Sequence, residues 1–167
     1  MDDKATTQLR LIAEIEGVLR SDRIRFWLRG GWALDFLIGR ITRQHSDIDL
    51  VTWRRHASRI ERLLVEAGYR VATVTDLAAI HFEKSAQDIG IAFIAKDEDG
   101  TIVTPGREFW PWPEGAFPAT EMRLEGITCR TMSAAALLEE KENYEKHSGR
   151  ALRPKDVESI AVLRSLV

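Results

Sequence analysis

The sequence predicts an α+β fold, and three features carry that prediction. Apolar residues at helical spacing open the chain, short apolar runs bounded by glycines and acidic turns fill its middle, and capped helical patterns close it. With 44% hydrophobic and 30% charged residues over 167 positions, one compact core is within reach.

Leu9, Ile12, Ile15 and Leu19 place a helix over 7–20. Phe26-Trp27-Leu28 suits a buried strand that delivers Gly30 and Gly31, after which 32–38 reads as a short helix ended by Gly39. Residues 40–46 form a polar loop and 47–51 a strand. The spacing of Ile60, Leu63 and Leu64 predicts an amphipathic helix over 56–67, ended by Gly68. Further strands are expected at 69–74, 80–83 and 89–95, with Asp97-Glu98-Asp99-Gly100 turning into a strand at 101–103.

Composition then shifts. GREFWPWPEGAFP holds three of the five prolines and four aromatic side chains, which rules out regular structure and predicts a loop packed on the core or a lid over a ligand. A strand pair about Gly126 follows over 122–132. Ser133 is the expected N-cap of a helix through Lys146, and Pro154 opens a last helix. The division is a core of 1–104 and a C-terminal part, 105–167, that completes a cleft.

A net charge of −2 gives no global basic field, so nucleic acid is disfavoured as a partner. MDDKATTQLR lacks the apolar core of a secretory signal and no apolar run matches a bilayer, so the cytoplasm is the default compartment and no membrane partner is expected. The single cysteine, Cys129, leaves no internal disulfide and reads as filler in a strand. His56, His81 and His147 have no ligand spacing, which argues against zinc. Glu139, Glu140, Glu142 and Glu145 make an acidic helical stretch: a solvated face, or in part a surface for a cationic acceptor.

The chemistry concentrates in RGGWALDFLIGRITRQHSDIDLV, Arg29 to Val51. On a strand, Asp47 and Asp49 point to one side while Ile48 and Leu50 point to the other. Paired carboxylates are costly unless a cation neutralises them, and Mg²⁺, which takes its other ligands from water and substrate phosphates, is the economical ion. A nucleoside triphosphate is then the expected co-substrate. Gly30 and Gly31, between strand and helix, let backbone N–H groups approach phosphate oxygens at a helix N-terminus. Arg40, Arg43 and His45 could add to that phosphate site; for His45 the alternative is ordering of the loop. Asp35 reads as a structural acid complementing the helix dipole.

The Gly-Gly pair, short helix, loop and Asp-h-Asp-h strand (h apolar) resemble the minimal nucleotidyltransferase fold of the DNA polymerase β superfamily. GGWALDFLIGRITRQHSDIDL is similar to its antibiotic-modifying branch, the aminoglycoside 2''-nucleotidyltransferases and small lincosamide nucleotidyltransferases. The resemblance implies a mixed twisted sheet flanked by helices, with a small helical C-terminal region. It further implies two Mg²⁺ ions on Asp47 and Asp49, phosphates on Gly30 and Gly31, and transfer of AMP, or another nucleoside monophosphate, to an acceptor hydroxyl with loss of pyrophosphate. The aminoglycosides come first as acceptors because Asp and Glu abound in the C-terminal half; lincosamides are the runner-up, and a nucleotide-binding or toxin-type relative without antibiotic transfer is a further alternative. The family's C-terminal region faces the cleft, which brings Lys141, Tyr144 and Lys155 forward as nucleotide contacts, while Arg153 and Asp156 read as a tie between the last helices. Acceptor pockets in the superfamily can be completed by a second subunit, so a homodimer is compatible.

The family's third carboxylate, a metal ligand or general base, aligns with Gly90 in QDIGIAFIAKDEDG. Asp88 faces the same side of an extended strand and is the candidate replacement. The alternatives are Glu83 on the neighbouring strand, or an Asp88 that only caps the turn before it in a chain lacking the third acid.

Overall fold

Alternation in the strand Asp47–Trp53 sets the architecture. Ile48 and Leu50 are fully buried on one face, whereas Asp47 is exposed and Asp49 half-buried on the other. The structure, a computed structural model, describes residues 1–167.

Helix α1 (Asp3–Ser21) is N-capped by Asp2, whose carboxylate accepts from the Ala5 amide, and buries Leu9, Leu11, Ile12, Ile15 and Leu19. Strand β1 (Phe26–Arg29) leads directly into α2 (Gly30–Ile38), which closes on left-handed Gly39. The helix thus starts on the glycine pair itself, two residues earlier than the sequence pattern predicts. β2 (Asp47–Trp53) runs through a single 3-10 turn into α3 (Ala57–Glu66), whose Ile60 and Leu64 face the core. Strands β3 (Arg70–Thr75), β4 (Ala79–Lys84), β5 (Gln87–Lys96) and the short β6 (Ile102–Val103) follow.

The main sheet is six-stranded, in the order β1-β2-β5-β4-β3 with β6 added to β5. It is mixed, because β2 and β5 run parallel while the other pairs are antiparallel. The α3 crossover and the β3–β4 hairpin supply the long connection that a parallel pair needs. Ile48, Leu50, Ile80, Phe82, Ile89 and Ile91 share the apolar face and belong to one core.

The aromatic loop covers part of the opposite face. Trp27 donates from Nε1 to the Pro118 carbonyl at 2.8 Å and meets Phe117 edge-on at 5.3 Å, and Trp112 packs edge-on against the same ring at 5.4 Å. β7 (Glu121–Leu124) and β8 (Ile127–Arg130) form a separate hairpin, with Cys129 buried in β8. Ser133 caps α4 (Ala134–Glu142), as its sequence position predicts. The helix expected to run through Lys146 breaks at Asn143, which ends α4 and precedes α5 (Tyr144–Ser148). Its side chain donates to the Glu139 carbonyl, competing with the helix's own ladder. α6 (Pro154–Arg164) opens with a capping box between Arg153 and Asp156.

Candidate active site

Backbone conformation places the glycine pair. Gly30 has φ of 66°, and a Cβ there would lie 3.1 Å from Asp49 Oδ2, so any side chain would be strained and would press on the carboxylate. A Cβ on Gly31 would overlap the His45 ring and come within 2.9 Å of Arg43 Nη2. The bare start of α2 therefore lies against Asp49, His45 and Arg43, with its first amide groups free to receive an anion.

A cleft of about 80 Å³ joins these residues, lined by Gly30, Gly31, Arg43, His45, Ser46, Asp47, Asp49, Lys141, Arg153, Lys155 and Asp156. The sequence expectations for Gly30, Gly31, Arg43, His45, Asp47, Asp49 and Lys141 converge here. Arg40 does not join them: it is exposed beyond the end of α2, its amide bonded to the Asp35 carbonyl at 3.2 Å. The left-handed turn at Gly39 carries it away from the helix N-terminus. Tyr144 lines a larger neighbouring cavity instead.

Two carboxylates among several cations give the cleft its electrostatics. Burial, then the Asp47 charge, push the Asp49 carboxyl up to about 6, while Arg29 pulls the other way. Arg29 pairs with Asp49 in the β1–β2 register, and its Nε donates to Glu140 Oε1 at 2.7 Å; burial opposes the guanidinium charge, but Glu140 outweighs it. Burial, then Arg153 and Arg43, press Lys155 below the usual lysine range. That crowding of cations leaves positive potential for an anion to neutralise. Lys141 Nζ is held at 2.8 Å from Asp156 Oδ1, and Arg153 Nε lies 2.8 Å from Asp156 Oδ2. Asp156 therefore ties α4 to the start of α6 and fixes both cations at the rim.

No cluster of three or more His, Cys, Asp or Glu side chains is present to chelate a metal unaided. Two carboxylates on one strand face, one raised by burial and by its twin, among Arg43, Lys141 and Lys155, fit a divalent ion that arrives with a polyphosphate. A metal caged by protein alone does not fit.

The larger cavity, about 700 Å³, adjoins on the same sheet face. Its lining includes Arg29, His81, Arg107, Trp110, Trp112 and Tyr144. Trp110 stacks on His147 at 4.3 Å, and Trp112 donates from Nε1 to Thr104 Oγ1 at 3.0 Å. The aromatic loop thus packs on the core through Phe117 and faces the cavity through Trp110 and Trp112. Of the acidic stretch expected as a possible cationic surface, only Glu140 reaches the cavity, bonded to Arg29. Glu142 pairs with Arg164 and Glu145 accepts from the Leu152 amide.

Asp88 stands opposite Asp47 in the parallel ladder and opposite Glu83 in the antiparallel one; it is exposed and lines neither cavity. Glu83 is drawn to Arg70 at 2.8 Å. Gly90 stands opposite Asp49 and His81. The sequence reading does not single out Arg29, Ser46 and His81 as parts of the site. Only the position of Arg29 just before the glycine pair carried a signal; the other contacts depend on pairing between distant segments.

The aminoglycoside-2''-adenylyltransferase family model matches residues 11–163. A 2''-aminoglycoside nucleotidyltransferase of Klebsiella pneumoniae is 37% identical over 71 residues, 42% of this chain and 40% of that protein. A lincosamide resistance protein of Staphylococcus haemolyticus is 26% identical over 147 residues, 86% of each chain. Among solved structures, ANT(2'')-Ia in complex with adenylyl-2''-tobramycin superposes with a TM-score of 0.80 at 23% identity, over 96% of this chain and 90% of that one. Lincomycin-bound LnuA gives 0.72 at 22% identity, over 100% and 98%. At these identities the two superpositions establish the nucleotidyltransferase fold.

Proposed function

Since the chain belongs to the aminoglycoside-2''-adenylyltransferase family, we propose that it transfers a nucleoside monophosphate, AMP from ATP, to a hydroxyl of an aminoglycoside-type antibiotic and releases pyrophosphate. The observation that carries this reading is the juxtaposition of Asp47 and Asp49 with the bare N-terminus of α2 in one cation-rimmed cleft. Asp47 and Asp49 would hold Mg²⁺, which when bound neutralises charge on the phosphates and on the attacking and leaving oxygens. Gly30 and Gly31 offer backbone amides to the phosphates; Arg43, Lys141 and Lys155 balance their charge, and His45 closes the cleft beside Gly31. Tyr144 and the tryptophans of the larger cavity receive the acceptor beside the cleft. As the acceptor oxygen attacks the α-phosphorus it loses its proton, for which Asp88 is the candidate from sequence.

A second reading, a lincosamide-type acceptor, is favoured by the cavity lining. Arg107 and Arg150 face it without an acidic partner, and its one carboxylate, Glu140, is already bonded to Arg29. An acceptor bearing several ammonium groups finds little to pair with, whereas tryptophan and alanine surfaces suit a less charged one.

The test is incubation with Mg²⁺, each ribonucleoside triphosphate and panels of both antibiotic classes, followed by mass spectrometry for an acceptor heavier by one nucleoside monophosphate. The expected product is absent with Asp49→Asn. No product from any pair overturns the transfer reading.

A further inference from the structure

Asp49, Gly90 and His81 form one row across β2, β5 and β4, since Asp49 pairs with Gly90 and Gly90 with His81. Paired residues in adjacent strands share a face, so Asp49 and His81 project to the same side with a residue lacking a side chain between them. The space above Gly90 is narrow. A Cβ there would lie 3.1 Å from Asp49 Oδ1 and 3.2 and 3.3 Å from His81 Cε1 and Nδ1. The imidazole therefore leans over Gly90 towards Asp49.

His81 lines the large cavity while Asp49 lines the phosphate cleft, which puts the ring at their junction. Neither ring nitrogen of His81 has a hydrogen-bond partner in the protein, and the residue is exposed. The other proton acceptors nearby are engaged or remote. Glu140 is bonded to Arg29, His147 lies beneath Trp110, Glu83 is bonded to Arg70, and Asp88 sits one row away beside Asp47, outside both cavities.

We infer that His81 is the catalytic base, accepting the proton of the acceptor hydroxyl from the space that Gly90 leaves open. The inference rests on the transfer reading above. In the step, the acceptor oxygen bonds to the α-phosphorus, the bond from that phosphorus to the α–β bridging oxygen breaks, and pyrophosphate leaves with the electron pair. The hydroxyl proton passes to an imidazole nitrogen and from the exposed ring to solvent. An exposed imidazole with no partner in the protein, at the junction of the two cavities, has a ring nitrogen free to take up the hydroxyl proton as a general base.

The experiment compares wild type, His81→Ala, Asp88→Asn and the double variant His81→Ala/Gly90→Asp, using ATP, Mg²⁺ and the acceptor that the wild type modifies. For His81→Ala, kcat is expected to fall by about 100-fold or more, with ATP and acceptor affinity by calorimetry changed by less than about threefold. The double variant is expected to recover at least about tenfold in kcat, because a carboxylate at position 90 enters the space the ring vacates. His81→Gln, which keeps comparable bulk and hydrogen-bonding groups but takes up no proton, is expected to lose kcat as His81→Ala does, whereas a merely structural role would be rescued by it. Unchanged kcat in His81→Ala overturns the inference, as does a loss that tracks acceptor affinity, or a comparable loss confined to Asp88→Asn. A wild type that modifies no acceptor overturns the transfer reading itself, and the inference falls with it.

Discussion

The Asp35 carboxylate lies 2.6 Å from Nε2 of His45, and both side chains are buried. An ionised carboxylate can only accept, so Nε2 donates. The other Asp35 oxygen accepts from the Thr42 hydroxyl at 2.6 Å, and the His45 ring packs against Trp32 at 4.6 Å. Gln8, from α1, holds the loop by donating to the His45 carbonyl at 3.3 Å and accepts from Trp32 Nε1 at 2.9 Å. The acid read as a helix-dipole residue is thus the anchor that sets His45 against Gly31. Asp35→Ala leaves the buried His45 ring nitrogen unpartnered and releases the exposed Thr42 hydroxyl from the loop, at roughly 1–3 kcal/mol. Thermal unfolding should show Tm lower by about 2–12 °C, together with weaker ATP binding.

Asp49 disfavours the fold at neutral pH. Its folded-state value of about 6 lies above the ordinary 3.8, so its stabilising contribution is fully present below 3.8 and is lost as pH rises through about 6. Asp49→Asn should therefore melt higher than wild type at pH 7.5 without metal, by roughly 1–3 kcal/mol, and match it near pH 4. Equal melting at both pH values would contradict the electrostatic account, while transfer activity is expected to vanish in the same variant.

Metal binding should carry the same signature. Below about 6 the ion must displace a proton from Asp49, so Mg²⁺-ATP affinity by calorimetry should fall about tenfold per pH unit there and level off above pH 7.

Asp156 shows the opposite sign. Burial raises its carboxyl, but hydrogen bonds from Arg153 and Lys141 outweigh that and hold it well below the usual range. Its contribution is therefore present above 3.8 and lost as pH falls below that value. Asp156→Asn should flatten the acid limb of the stability profile. Freed from its 2.8 Å contact, Lys141 should also hold nucleotide less well, raising the Kd for ATP by about threefold to tenfold.

Trp110 stacks on His147 at the cavity wall. Trp110→Ala should raise the acceptor KM by about threefold to tenfold and leave ATP affinity unchanged, as steady-state kinetics against each substrate would show.

Much of this protein could be read from the linear sequence because the relevant physics is local. Side chains alternate along a strand, so Asp47 and Asp49 had to share a face whatever lay beside them. Glycine tolerates positive φ, so the turn at Gly30 could open a helix against a carboxylate. Ser133 and Pro154 marked their helix starts through the same short-range chemistry. The tertiary structure decided what depends on pairing between distant segments: that Gly90 stands beside Asp49, that His81 leans over it, that Asp88 falls one row away, and that Arg40 turns out to solvent. Register comes from packing over the whole core, because strand alternation alone cannot say which residue of one strand will face which residue of another.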